Sequence, residues 1–367
     1  MRPLELYIHI PFCIRKCRYC DFLSAPSTKE ERKDYVTGLC RKIRSYGELA
    51  EAYHVATVFI GGGTPSVLEG AQILDIMDAV RGTFPVDAGA EVSMEMNPGT
   101  AAKEKLKTIR HAGINRLSIG LQSTDDSELK MLGRIHTYDD FLHTYEMARD
   151  AGFTNINVDL MSAIPFQSVD SWDTTLIRTA ELGPEHISAY SLIIEEGTPF
   201  FDRYGNGKRA KELPTEDEER QMYMHTRMIL EEYGYHRYEI SNYARPGYEC
   251  RHNLGYWDRA EYLGIGTGAA SLLQGYRFTE GEEPVKLSEK EQMEEFMFLG
   301  LRKTEGVSME AFRTYFDRTM ESVFGNVLTE MGREGLLEIE EDAVRLTDKG
   351  TDISNYVMGA FLLGEEE

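Results

Sequence analysis

Three of the chain's five cysteines, Cys13, Cys17 and Cys20, stand within eight residues in a C-x3-C-x2-C spacing. They follow an apolar, strand-like run over residues 4–10 that Pro11 stops. A loop this short bends three thiolates toward one point, and soft thiolates gathered together bind a metal or an iron–sulfur cluster. Three ligands leave a tetrahedral zinc or a four-iron cluster one position short, so one coordination position stays open for a further ligand. Zinc with His9 as fourth ligand is the competing chemistry, although His9 reads as a strand residue and C-x3-C is loose for a zinc knuckle. Disulfide pairing is disfavoured by the odd cysteine count and by an N-terminus too short and polar for an export signal.

The rest of the chain must position that loop. Its 367 residues suffice for a large core and two domains, with 41% hydrophobic and 28% charged residues. A net charge of −22 argues against a nucleic-acid backbone as partner. The basic residues within 29–42 read as a solvated helix face. No apolar run reaches membrane-spanning length, so a cytoplasmic protein is expected, a location that suits an oxygen-sensitive cluster.

Ser27-Thr28-Lys29-Glu30 has capping-box spacing and opens a helix carrying Tyr35, Leu39 and Ile43, with Cys40 as a small core residue. A strand over 55–60 ends in Gly61-Gly62-Gly63-Thr64-Pro65, where a bare backbone admits a ligand or simply makes a tight turn. Strands over 91–96, 116–122, 154–161 and 186–193 then alternate with helices over 101–112, 138–151 and 169–182. Six strands alternating with helices argue for parallel βαβ units. Glu95, Gln122 and Asp159 each close a strand that is otherwise apolar, which places three polar groups in register at one end. A charged excursion precedes a helix over 218–233, and then comes Cys250-Arg251-His252-Asn253-Leu254-Gly255-Tyr256-Trp257. Histidine, tyrosine and cysteine all ligate haem iron, flat aromatics pack on a macrocycle, and Arg251 suits a propionate. The same run also reads as a turn anchored in the core by Trp257.

The cysteine spacing, with Tyr19 just before the third cysteine, resembles the radical S-adenosylmethionine (SAM) superfamily. That resemblance implies a 4Fe-4S cluster on Cys13, Cys17 and Cys20, with SAM chelating the fourth iron. The Gly61–Pro65 segment resembles the superfamily's GGGTP stretch, which contacts the methionine end of SAM, and the βα units resemble its open partial (β/α)6 barrel. Aligned with the oxygen-independent coproporphyrinogen III oxidase-like family, Tyr7, Gly62, Gly63, Thr64, Glu95, Gln122, Arg134, Asp159 and Ile193 fall on SAM-contacting positions. Ala270 takes a further one at the end of the 263–270 loop, and the Leu132–His136 run fits the same family.

His252-Asn253-x-x-Tyr256-Trp257 is similar to the HNxxYW motif of that family's haem chaperone branch, which implies a haem site at His252, Asn253, Tyr256 and Trp257. The oxidase branch carries a further cysteine where this chain has Phe22, and a long segment before the first strand where only six residues precede Tyr7. The expectation is therefore a haem carrier that delivers to haemoproteins, with a flavodoxin- or ferredoxin-type electron donor as a further partner. Oxidative decarboxylation of coproporphyrinogen III is the alternative. Residues 281–284 read as a linker between a barrel (1–280) and a small α+β domain (281–367). Helices over 289–301, 308–315 and 319–332 and a hairpin over 336–347 resemble a winged helix. Its acidic wing (Glu338, Glu340, Glu341, Asp342) points to a lid or docking role rather than to DNA.

Overall fold

The structure, a computed structural model, describes residues 1–364. β1 (Arg2–Ile10) leads through the cysteine loop to α1 (Lys29–Arg44) and a single turn, α2 (Gly47–Ala50). Thr28 and Glu31 form the capping box that opens α1, one residue later than the sequence spacing suggested. The alternation continues through β2 (Tyr53–Gly62), α3 (Gly70–Thr83), β3 (Val86–Met96), α4 (Lys103–His111) and β4 (Arg116–Gln122). After β4 come α5 (Asp126–Leu132), α6 (Tyr138–Asp150), β5 (Ile156–Ser162), α7 (Val169–Glu181) and β6 (His186–Ser191).

β1 to β6 lie side by side in chain order, each parallel to the next. Crossovers of one hand between consecutive neighbours put every helix on the same face, so the sheet curls into an open barrel with an enclosed inner face. β4 shows the consequence, with all seven of its residues buried. All the strands' C-terminal ends meet at one rim, which is where a loop-borne site belongs.

The sheet runs further than the sequence patterning indicated. After α8 (Pro199–Tyr204) and α9 (Glu216–Glu232), β7 (His236–Glu239) and β8 (Asn242–Ala244) add antiparallel strands beyond β6. α10 (Arg251–Trp257) follows, and β9 (Tyr262–Ile265) then pairs parallel to β1 on the opposite edge. Antiparallel β10 (Ala270–Leu273), β11 (Tyr276–Thr279) and β12 (Val285–Lys286) complete a twelve-stranded sheet. Because β12 pairs with β11, the large sheet extends to Lys286, and the boundary expected at residue 281 moves past it.

The second domain holds α11 (Glu289–Gly300), β13 (Val307–Ser308), α12 (Met309–Phe316), α13 (Met320–Arg333), β14 (Leu337–Ile339), β15 (Ala343–Leu346), α14 (Asp348–Asp352) and α15 (Ser354–Gly359). It has its own core around Met297, Phe312, Phe324 and Phe361 and a three-stranded sheet ordered β13-β15-β14. Arg345 pairs with Glu338 and Glu340 and offsets part of the wing's acidity. The domain docks on the barrel beside α10. Arg302 stacks over the Trp257 ring at 4.3 Å, and buried Glu295 takes both Arg259 and Arg277.

Candidate functional site

A cavity of about 270 Å³ opens at the rim and is walled by all three loop cysteines together with Gly62, Gly63, Thr64, Glu95, Gln122, Arg134 and Asp159. Tyr19 also lines it, so most of the side chains singled out in the sequence share one space. Gly62 has φ +112, and a Cβ there would meet the His9 ring at 2.5 Å. A Cβ on Gly63 would meet the Phe12 carbonyl at 2.7 Å, so the turn requires glycine for close approach as well as for conformation.

The cysteine loop is fastened at several points. Cys13 N–H donates to Ala25 O (3.0 Å), Arg18 N–H to Leu132 O (3.0 Å), and the Arg15 guanidinium to Gly133 O (2.8 Å). The loop thus leans on the 132–136 run, which explains the role of that run. Arg134 donates to Asn97 Oδ1 (2.7 Å) and Gly120 O (2.6 Å), and it lies 3.7 Å from Cys17 Sγ. A fixed cation beside thiolates favours a net-negative centre. Cys13 Sγ lies 3.4 Å from Thr64 Oγ1, and burial pushes the Cys20 thiol up to about 11.

His9 is not a fourth ligand. Its Nε2–H donates to Leu23 O (3.0 Å), which leaves Nδ1 to accept from the Tyr7 hydroxyl (2.9 Å). Among the described residues no three His, Cys, Asp or Glu side chains converge closely enough to hold one metal ion.

The strand ends supply acceptors, one of them on a strained backbone. Burial, then the neighbouring Asp159, raises the Glu95 carboxyl to about 8, while the Gly62 N–H bonded to it pulls the other way. Asp159 accepts from Ser118 Oγ (2.9 Å) and the Asn157 amide (2.7 Å). Gln122 sits at φ 75, next to a register slip against β5, and its Oε1 accepts from the Tyr190 hydroxyl (2.9 Å). A non-glycine residue held left-handed at a strand end marks a place where the fold sustains strain to aim a side chain. Ile193 and Ala270 do not line the cavity. Ile193, just past β6, and Ala270, at the start of β10, are both exposed.

Beneath this cavity, sharing Glu95, Ser118 and Asp159 with it, lies a chamber of about 240 Å³. Its floor is α10, through His252, Asn253 and Tyr256, and Tyr7 forms part of its wall. The 250–257 run is thus a helix rather than a turn. Glu91 binds its first N–H groups, those of Arg251 (3.1 Å) and His252 (3.2 Å). Gly255 lets α10 settle onto Glu5, since a Cβ there would fall 1.9 Å from a Glu5 oxygen.

His252, the histidine of the expected haem motif, lies on the buried side of α10. His252 is buried, its Nδ1 is bonded to Thr57 Oγ1 (2.7 Å) and its Nε2 to the Tyr256 hydroxyl (3.0 Å). Burial, then Arg116, lowers its pKa to about 3, so the ring is neutral and both nitrogens are occupied. Cys250 is buried too, with Sγ 3.5 Å from Glu91 Oε1, and Trp257 lies against the second domain.

Reasoning from sequence missed the connection between α10 and the cavity. Cys250 N–H donates to the Tyr238 hydroxyl (3.2 Å), which donates to His186 Nε2 (2.7 Å). His186 Nδ1–H donates to Asn157 Oδ1 (2.6 Å), and Asn157 donates to Asp159. Asn97, Ser118 and Tyr190 were also missed. Only Asn97 carried a local signal, in its Asn-Pro-Gly turn. An open groove of about 660 Å³ on the second domain, between Arg313 and Glu341, gathers no comparable set of groups.

Residues 7–177 match the Radical SAM superfamily, and residues 287–353 match the HemN C-terminal domain. The fold agrees with that of the solved coproporphyrinogen III oxidase (HemN) of Escherichia coli, a radical SAM enzyme. The TM-score is 0.85 at 24% identity, over 98% of this chain and 90% of that one. The barrel and cysteine loop are those of a radical SAM protein, a class that takes a 4Fe-4S cluster and SAM. Among curated relatives, the chain is 38% identical to the heme chaperone HemW of Bacillus subtilis, over 97% of this chain and 98% of that protein. It is 36% identical to HemW of Lactococcus lactis, over 99% and 98%, and 36% identical to that of Escherichia coli, over 98% of each. The chain belongs to the HemW family.

Proposed function

We propose that this protein is a haem chaperone that binds haem and delivers it to haemoproteins. The observation that carries this reading is its similarity, along nearly its whole length, to relatives named as heme chaperones. Phe22, where the oxidase branch has an additional cysteine, supports it. Cys13, Cys17 and Cys20 hold the cluster, and Gly62, Gly63, Thr64, Glu95, Gln122, Arg134 and Asp159 form the SAM site. When bound, the cluster and SAM together supply one-electron reductive chemistry. This chain's own residues hold the two in register: Arg134 balances charge at the thiolates, Glu95 and Asp159 accept hydrogen bonds, and the glycine turn admits the ligand to the backbone. A flavodoxin- or ferredoxin-type electron donor and apo-haemoproteins are the proposed partners. No helix among the described residues is long and apolar enough to cross a membrane.

The test is a paired assay on anaerobically reconstituted protein. Haem titration should give a saturable Soret change, and coproporphyrinogen III should be returned unchanged. Decarboxylation without haem binding would assign the chain to the oxidase chemistry instead.

A further inference from the structure

We infer that the chamber over α10 is a carboxylate-binding site whose counter-ion is Arg116, and that it takes a carboxylate borne on a short apolar arm, as in a propionate. This deepens the haem-chaperone reading, on which it rests where haem is named as the owner of that arm. Arg116, Ser118, Gly120 and Gln122 alternate onto one face of β4, the face turned into the barrel. Gly120 and Gln122 line the upper cavity, Ser118 lines both spaces, and Arg116 lines the chamber alone. Arg116 is only 2% exposed, yet among the described residues its guanidinium makes no hydrogen bond or ion pair, and its buried Nε has no partner. Other arginines drawn into the fold are engaged: Arg134 by Asn97 and Gly120 O, Arg149 by Glu185, and Arg259 by Glu295. The carboxylates whose charge reaches Arg116 are turned elsewhere, Glu91 to the first N–H groups of α10 and Asp159 to Ser118 and Asn157. A desolvated cation is costly unless it is paired.

The rest of the wall selects the occupant. A guanidinium presents a planar fork that matches the two oxygens of a carboxylate. Phe59, stacked on the His252 ring at 5.3 Å, and Tyr7 supply apolar surface beside it. Ser118, Asn157, Ser188 and Tyr256 already have protein partners, which leaves Arg116 and the Asn253 amide to meet a ligand. Burial, then Asp159, raises the Glu95 carboxyl to about 8, so at neutral pH it is protonated and does not repel an incoming anion. The chamber's volume of about 240 Å³ falls below the roughly 300–1,000 Å³ of sites that take drug-sized ligands. It therefore receives either the carboxylate arm of a larger ligand or a small carboxylate entire.

The experiment compares haem with haem dimethyl ester, which has no free carboxylate, by Soret titration of the cluster-loaded protein. Sodium propionate is titrated into the same protein without haem, by calorimetry. Wild type should bind haem about tenfold more tightly than the ester. Arg116→Met should bind the two alike, whereas a merely loosened fold would weaken both and keep their ratio. Arg116→Lys keeps the charge but not the fork, and it should reduce the ratio several-fold even where the Met variant does not fold. If wild type binds haem and ester alike but binds propionate, and the Arg116 variants lose propionate, the site stands and a small free carboxylate owns it. A haem-to-ester ratio unchanged in either variant that folds overturns the inference. Equal binding of haem and ester with no binding of propionate also overturns it, and Arg116 then only balances Glu91 and Asp159 across water. A wild type that binds no haem refutes the chaperone reading itself, while the propionate titration still decides the chamber.

Discussion

Glu5 offers a sharp check on the account of α10 as a buried floor rather than an open ligand. Its carboxyl lies under Gly255, with Oε2 unpaired and 3.9 Å from His252 Nδ1. Burial, then Glu91 and Asp258, raises it to about 9 from 4.5, against smaller opposing effects of Arg251 and Thr57. With His252 neutral as well, the 3.9 Å contact is no ion pair. A carboxyl whose pKa is raised on folding contributes fully below its unfolded value, and the contribution is lost as pH climbs through the folded value. At pH 7 the unfolded chain has released this proton while the folded chain keeps it. About two and a half pH units above 4.5, at about 1.4 kcal/mol each, make folding roughly 3 kcal/mol less favourable than for a neutral group. Glu5→Gln keeps the shape and removes the titration. The variant should be about 3 kcal/mol more stable at pH 7 in urea unfolding of the cluster-free protein, with the gain shrinking toward zero near pH 4.5. A variant with no gain at pH 7, or with a gain that does not vary with pH, would refute the reasoning.

Cys17→Ala should abolish the brown chromophore and bound iron, whereas Cys40→Ala should retain both, as measured by iron content after anaerobic reconstitution. Since the Glu95 carboxyl titrates near 8, SAM affinity should rise as pH climbs through that value and the acceptor ionises, and Glu95→Gln should flatten the profile in calorimetry. His186→Leu leaves the Tyr238 hydroxyl proton without its acceptor and removes one of the two donors to Asn157 Oδ1, which keeps Ser188 Oγ, so the loss is about 1–3 kcal/mol for the buried hydroxyl left partly unpaired. The variant should unfold at lower urea and bind SAM several-fold more weakly through a loosened Asp159, whereas unchanged SAM binding would disconnect the relay from the site.

The cysteine loop, the glycine turn and the three strand-end polar groups were legible because each is a local pattern, a short spacing or a periodic strand with one polar residue at its end. Six parallel strands were legible for the same reason. The remaining strands of the large sheet were not, since each is four residues or shorter and too brief to show alternation. His186, Asn157 and Tyr238 act on Asp159 through contacts between strands far apart in sequence, and nothing local marks them. His252 was legible as part of a haem motif, but its partners Thr57 and Tyr256 were not, because Thr57 comes from a strand far away in sequence. Ile193 and Ala270 carry no local signal of their own, and both are exposed.

Delivery tests the central claim most directly. Wild-type protein loaded with one equivalent of haem is mixed anaerobically with an apo-haemoprotein, the two are separated, and the Soret absorbance of each is read. The account predicts that haem leaves this chain and appears in the acceptor, faster than free haem dissociates from the chaperone alone. Haem that stays with this chain, or reaches the acceptor only at the rate of spontaneous release, would contradict it.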